Sequence, residues 1–87
     1  MEKVFITKVL KGKEPVKSVG FIDTAAKKLY VPFLSKKGMP IIDVVDIDYL
    51  NKIENGYRCE TIVYDEEDRH FVNVYYATKL NKESEVK

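Results

Sequence analysis

The most reactive stretch of the sequence is DEEDRH, residues 65–70, which places four carboxylates beside the only histidine of the chain. Neighbouring carboxylates can bind calcium or magnesium, since both cations prefer oxygen ligands. This stretch lacks the alternating acid spacing and the glycine of an EF-hand calcium loop. His70 has no second histidine or cysteine near it in sequence, and a transition-metal site normally needs three or four such ligands. The pattern therefore predicts a hairpin turn, and the alternative is a metal site formed by the same carboxylates.

A second acidic group lies in DVVDID, residues 43–48, where Asp43, Asp46 and Asp48 stand close together. Paired carboxylates can hold magnesium for phosphoryl chemistry. A nuclease of the common type would add a Glu-x-Lys sequence, but the residues after Glu60 are threonine and isoleucine. Helix capping and a solvated strand face explain these acids more simply.

Nucleophilic catalysis finds no support in the sequence. Cys59 is the single cysteine, and as a nucleophile it would need a nearby base and a lowered pKa. A small buried strand residue is the simpler role for Cys59. The sequence contains no glycine-rich phosphate loop and no Gly-x-Ser-x-Gly motif. We therefore predict a protein that is not an enzyme, with no catalytic residue, no metal and no cofactor.

Charge is distributed unevenly along the chain. Residues 1–40 carry nine lysines and three acidic residues, whereas residues 41–87 carry six basic and eleven acidic residues. One interpretation is that the two halves pair their charges within the fold or between two subunits. The other is a surface with a positive and a negative side, which would steer a charged partner.

The second interpretation assigns binding to a basic face and to exposed aromatic side chains. Tyr30 and Tyr75 are the candidates for exposed aromatic contacts, since tyrosines near lysines suit either nucleic-acid bases or a protein partner. Base-specific reading of DNA is disfavoured, because the chain has only two arginines and lysine lacks their bidentate geometry. The candidate basic residues are Lys11, Lys13, Lys27, Lys28, Lys36 and Lys37.

The elements that would position these residues are mostly strands. Alternating β-branched and aromatic residues predict five strands, and Ile41–Val45 also suits a strand. The spacing of Ile47, Leu50 and Ile53, followed by Gly56 as a C-cap, predicts a short helix over about 47–55. The polar tail 78–87 is predicted to fray. The five predicted strands are residues 4–11, 16–23, 28–34, 57–64 and 70–77.

These elements predict an α+β, mostly β fold in a single domain over residues 1–77. We expect a five-stranded antiparallel sheet or a partly open barrel in the order β-β-β-α-β-β. This order resembles that of the oligonucleotide-binding barrel in element order only, with no sequence motif behind it. An SH3-like barrel, or an antiparallel sheet with one helix packed on it, fits almost as well.

Function is predicted only as a class. Neither an apolar run of about 18 residues nor a signal-peptide pattern is present, so we expect a cytoplasmic protein without a membrane span. The favoured function is a small binding module that contacts a protein partner, as a regulator or inhibitor from a low-GC bacterium or phage. The alternative is a small nucleic-acid-binding barrel that uses the basic N-terminal half. A homodimer is compatible with either class.

Overall fold

The structure, a computed structural model, describes residues 1–80. Those residues form one antiparallel sheet of seven strands in the order β4-β3-β2-β1-β7-β6-β5. The sheet curls into a half-barrel, and residues 1–80 contain no helix. The prediction of a mostly β domain is therefore confirmed, whereas the strand count and the helix were wrong. The strands are β1 (Glu2–Val9), β2 (Val16–Asp23), β3 (Lys28–Leu34), β4 (Pro40–Asp46), β5 (Tyr49–Ile53), β6 (Gly56–Tyr64) and β7 (His70–Lys79).

The predicted helix over 47–55 is replaced by β5 and the tight turn into β6. Ile53 pairs with Gly56 across a two-residue turn formed by Glu54 and Asn55, and two-residue loops are the commonest hairpin connections. Gly56 has φ 151°, and a Cβ on it would lie 2.0 Å from the carbonyl oxygen of Ala77. Gly56 is thus required by the close approach of β7 and does not cap a helix.

The core lies on the concave face of the sheet. Strand alternation sends every second side chain of the central strands to this face, where the strands bury one another. Ile47 joins them from the link between β4 and β5, with 5% of its surface exposed. The buried apolar residues are Val4, Ile6, Ile22, Leu29, Ile47, Cys59, Tyr75 and Ala77.

The two edge strands of the sheet, β4 and β5, are consecutive in sequence. Only Ile47 and Asp48 separate them, so the sheet must curl until its two edges meet. The Ile47 amide donates to the Lys27 carbonyl and the Asp48 amide to the Glu60 carbonyl, each at 2.9 Å. This link holds the edges together at one end, and beyond it they diverge.

Two hairpins extend past the rest of the sheet at the diverging end. β3 and β4 pair along their full lengths, but β2 pairs with β3 only as far as Tyr30. Pro32 has no amide hydrogen to continue the ladder toward β2. β6 and β7 likewise pair as far as Tyr64 and His70, whereas β1 pairs with β7 only to Val74. The antiparallel order places the turns at 10–15, 35–39 and 65–69 at this same end.

The C-terminal boundary differs slightly from the prediction. β7 continues to Lys79, two residues past the predicted strand end, because Lys79 donates its amide to the Asn55 carbonyl at 2.8 Å. The remainder of the predicted tail, residues 81–87, lies outside the described residues. Over residues 1–80 there is no helix long and apolar enough to cross a membrane.

Candidate functional site

A cleft of about 420 Å³ opens between β4 and β6 where the two sheet edges diverge. Residues 43–46 of β4 form one side and residues 61–63 of β6 form the other. Asp48 closes the cleft at the link end, while Lys8, Asn73 and Tyr75 line it from the concave face. Strand backbones therefore flank the cleft on both sides, and both polar and apolar side chains line its interior.

The β4 side of the cleft presents backbone groups that β3 does not use. Ser35 bonds Met39, and Ile47 bonds Lys27, at 2.9 Å in each case. These bonds fix which positions of the β3–β4 ladder are hydrogen-bonded, because bonded and non-bonded pairs alternate in antiparallel strands. The odd-numbered residues of β4 bond β3, so three even-numbered residues direct their N–H and C=O groups into the cleft. These three are Ile42, Val44 and Asp46.

The β6 side of the cleft likewise presents backbone groups that its neighbour β7 does not use. Asp65 donates to the Arg69 carbonyl at 2.9 Å, which assigns the odd-numbered residues of β6 to the ladder with β7. Ile62 and Tyr64 therefore direct their backbone groups toward the cleft, beyond the end of β5. The Ile62 amide donates to Oδ2 of Asp48 at 2.6 Å. The Asp48 side chain thus takes the place of a neighbouring strand at the closed end.

The interior of the cleft holds a buried hydroxyl without a partner. Thr61 is 4% exposed, and its Oγ1 makes no hydrogen bond within residues 1–80. Tyr75 is also 4% exposed, and burial, together with the nearby carboxylate of Asp43, raises the pKa of its phenol. Nζ of Lys8 lies 5.7 Å from the centroid of the Tyr75 ring, within cation–π range.

The carboxylates of the cleft differ in how they are neutralised. Asp46 forms an ion pair with Lys28, and this hydrogen bond raises the pKa of the lysine. Asp48 accepts the Ile62 amide. Asp43 forms no ion pair within the part of the chain that the structure describes. Within residues 1–80, Asp43 and Asp48 therefore lack a paired cation, and both line the cleft together with the unpartnered Thr61 hydroxyl.

The six lysines of the predicted basic face separate into two groups. Four of them lie in two turns at the diverging end, whereas Lys27 and Lys28 lie at the opposite end of β3. Lys28 is already engaged by Asp46. Binding by these lysines stays a prediction, but they do not share one surface. The four at the diverging end are Lys11, Lys13, Lys36 and Lys37.

The two tyrosines predicted as exposed contacts also differ in position. Tyr30 is half-buried on the convex face. Tyr75 is buried, contrary to expectation, because its register opposite Lys8 and Cys59 turns its side chain to the concave face. Its side chain forms part of the wall of the cleft.

The acidic stretch DEEDR forms the predicted hairpin turn. Oδ1 of Asp65 accepts the amides of Glu67 and Arg69 at 2.9 and 3.0 Å, and Nε of Arg69 donates to Oδ2 at 2.9 Å. The Asp65 carboxylate therefore stabilises the turn through these hydrogen bonds. Over residues 1–80, no three histidine, cysteine, aspartate or glutamate side chains gather in a way that could hold a metal ion.

Cys59 is fully buried, as predicted, and burial raises its thiol pKa to about 11. It lies on β6 two residues before Thr61 and faces the core.

Sequence reasoning missed the main feature of the site, which is the pair of facing strand edges. It singled out Asp43 and Asp48, but as magnesium ligands or helix caps, and it passed over Thr61. The feature that could have predicted the site is the two-residue link between β4 and β5. It was missed because residues 47–55 were predicted to form a helix. Comparisons of the chain with protein-family models, curated proteins and solved structures gave no match.

Proposed function

We propose that the protein is a non-enzymatic module that binds an extended segment of a partner protein in the cleft between β4 and β6. The observation that carries this proposal is the pair of strand edges facing each other across the cleft. Ile42, Val44 and Asp46 on one side, and Ile62 and Tyr64 on the other, direct backbone groups into it. An extended peptide adds to such edges through main-chain hydrogen bonds.

The middle of the β4 edge supports this mode of binding, because it lies between the protecting residues Pro40 and Asp46 and is itself apolar. Natural sheet edges are usually blunted by charged side chains, proline or bulges. On β4, the residues that direct their backbone outward include Ile42 and Val44, whose side chains are 63% and 50% exposed. An apolar edge with free backbone groups is a surface that a partner strand would cover.

The dimensions of the edge limit the length of the segment. Residues 42–46 of β4 rise by about 3.3 Å each, so they span roughly five residues of an added strand. β4 and β6 run in opposite directions in the sheet. An inserted segment is therefore antiparallel to one of them and parallel to the other.

Nucleic-acid binding is the second candidate, and the grouping of four lysines in two neighbouring turns favours it. The acidic turn 65–69 lies at the same end of the sheet and repels the phosphates that these lysines would attract. We therefore expect only weak binding, on the order of 10⁻⁴ M at physiological salt. A sub-micromolar affinity for single- or double-stranded nucleic acid under those conditions would favour this candidate instead.

The proposed function is tested by selecting linear peptides from a randomised library on the immobilised protein. The test variant is Val44→Pro, which removes an amide hydrogen that points into the cleft and leaves the bonds to β3 in place. The matched control is Lys52→Pro, which removes an outward amide on the β5 edge, away from the cleft. We expect selected peptides to bind the wild type and Lys52→Pro but not Val44→Pro. Failure to enrich any peptide, or equal binding to both variants, would overturn the proposal.

A further inference from the structure

The cleft has an apolar outer side and a polar inner side. At its outer rim, the side chains of Ile42, Val44 and Tyr64 are 63%, 50% and 65% exposed. At its inner side lie the polar residues Asp43 and Thr61, next to Val45 and Val63. Successive residues of a strand point to opposite faces of the sheet. A segment inserted here therefore presents alternate side chains to an apolar rim and to a polar interior.

The acceptors of the interior are the carboxylates and the Thr61 hydroxyl, which face the donors of Lys8 and Asn73. Oγ1 of Thr61 is buried and makes no hydrogen bond within residues 1–80, and a buried polar group left in this state costs free energy. The carboxylate of Asp43 forms no ion pair within residues 1–80. The backbone donor at the closed end, the Ile62 amide, is already taken by Asp48. The interior is thus suited to a side chain that brings several donors.

The charged residues of the cleft also favour an incoming basic side chain. The cleft is lined by three aspartates and one lysine. Lys28 offsets Asp46 from outside the cleft, which leaves Asp43 and Asp48 against Lys8. The ammonium group of Lys8 faces the ring of Tyr75. The net charge that an incoming side chain meets is therefore negative.

On the basis of the segment binding proposed above, we infer that the segment carries a lysine or arginine at its inward position, between apolar residues that point outward. The ammonium or guanidinium group donates hydrogen bonds to Oγ1 of Thr61 and to the carboxylate of Asp43. Both lysine and arginine bring several donors and no acceptor, which matches the acceptor-rich interior. The preference for a basic residue is a specificity that the backbone pairing alone does not supply.

The test compares three versions of one selected peptide, with arginine, glutamine or glutamate at the inward position, by fluorescence anisotropy. We expect the change from arginine to glutamine to weaken binding about tenfold and the change to glutamate to weaken it further. In Asp43→Asn the arginine-to-glutamine difference should fall below about threefold. Glu66→Gln, which removes an equal charge from the neighbouring turn, should keep the tenfold difference.

Thr61→Val separates a binding role of Thr61 from a structural role, because melting temperature and peptide affinity should respond differently. Removal of the unpartnered buried hydroxyl should leave the melting temperature unchanged or raise it, because the cost of burying that group disappears. The same variant should bind the arginine peptide about threefold more weakly. A loss of stability together with unchanged binding would show that Thr61 belongs to the core and would remove it from the site.

The outcomes separate the two proposals. If the arginine, glutamine and glutamate peptides bind equally while Val44→Pro still abolishes binding, the basic preference is wrong and the segment binding stands. If the glutamate peptide binds best, Lys8 binds the inward side chain of the segment, and the inference is overturned. If no peptide binds at all, the proposed function itself fails.

Discussion

At the scale of single residues, two hairpin turns show the same construction with different residues at the strained position. Gly38 donates to the Ser35 carbonyl at 2.8 Å and Asp68 to the Asp65 carbonyl at 3.2 Å. Their φ angles are 79° and 60°, in the left-handed region that favours glycine. The turn at 35–39 thus has the preferred residue at this position, and the turn at 65–69 does not.

This difference gives a paired stability prediction. Asp68→Gly should raise the free energy of unfolding by about 0.5–1 kcal/mol, because glycine adopts the left-handed backbone at little cost. Gly38→Ala should lower it by about 1 kcal/mol. A Cβ at Gly38 meets nothing within 4 Å, so the loss reports the backbone alone. Urea unfolding measures both values, and changes of the same sign would contradict the turn geometry.

Gly56 should respond more strongly than Gly38. A Cβ at Gly56 would lie 2.0 Å from the Ala77 carbonyl oxygen and 2.8 Å from Cα of Thr78. Gly56→Ala should therefore push β6 and β7 apart and cost more than about 2 kcal/mol. A urea-unfolding loss no larger than that of Gly38→Ala would show that the two strands do not approach so closely.

The buried thiol of Cys59 predicts a pH dependence of stability. Its pKa is raised from 9.0 to about 11 in the folded state. Between these two values the unfolded chain loses the thiol proton while the folded chain keeps it, so stability falls as pH rises. The loss should approach about 2–3 kcal/mol at most. Cys59→Ala should show a shallower decline in thermal melts across this range, and parallel curves for the two proteins would contradict the assignment.

At the scale of elements, the sequence predicted the strands with strong local patterns and failed where the pattern was ambiguous. Ile47, Leu50 and Ile53 have a helical spacing, but Leu50 and Ile53 also fit a short strand that follows a link. Gly56 was read as the end of that helix, although it is the first residue of β6 after a two-residue turn. The cleft could not be predicted, because it depends on which amides of β4 bond β3, and register is set by contacts between distant residues.

The alternation of amides along β4 is itself testable. Val44→Pro should change the free energy of unfolding by less than about 1 kcal/mol, since this amide points away from β3. Val45→Pro should cost about 3 kcal/mol or more, because the Val45 amide bonds Leu29 in the ladder. Circular dichroism during urea unfolding measures both. Equal losses would mean that the register of β4 is shifted.

At the scale of the whole molecule, the two oppositely charged halves of the sequence share one ion pair over residues 1–80. Within residues 1–80, only the pair between Lys28 and Asp46 joins the first 40 residues to the rest. The other ion pairs of that region lie within the acidic half. The turn at 35–39 carries Lys36 and Lys37, and the turn at 65–69 carries Glu66 and Glu67. The end of the sheet that bears the cleft therefore has a basic turn and an acidic turn.

Amide hydrogen exchange with a selected peptide bound tests the segment binding most directly. The amides of Ile42, Val44 and Tyr64 point into the cleft, so the peptide should slow their exchange by about tenfold or more. The amides of Leu50 and Lys52, which point outward on the β5 edge, should keep their rates. Protection confined to β5 or to the convex face, or no protection at any of these amides, would contradict binding between β4 and β6.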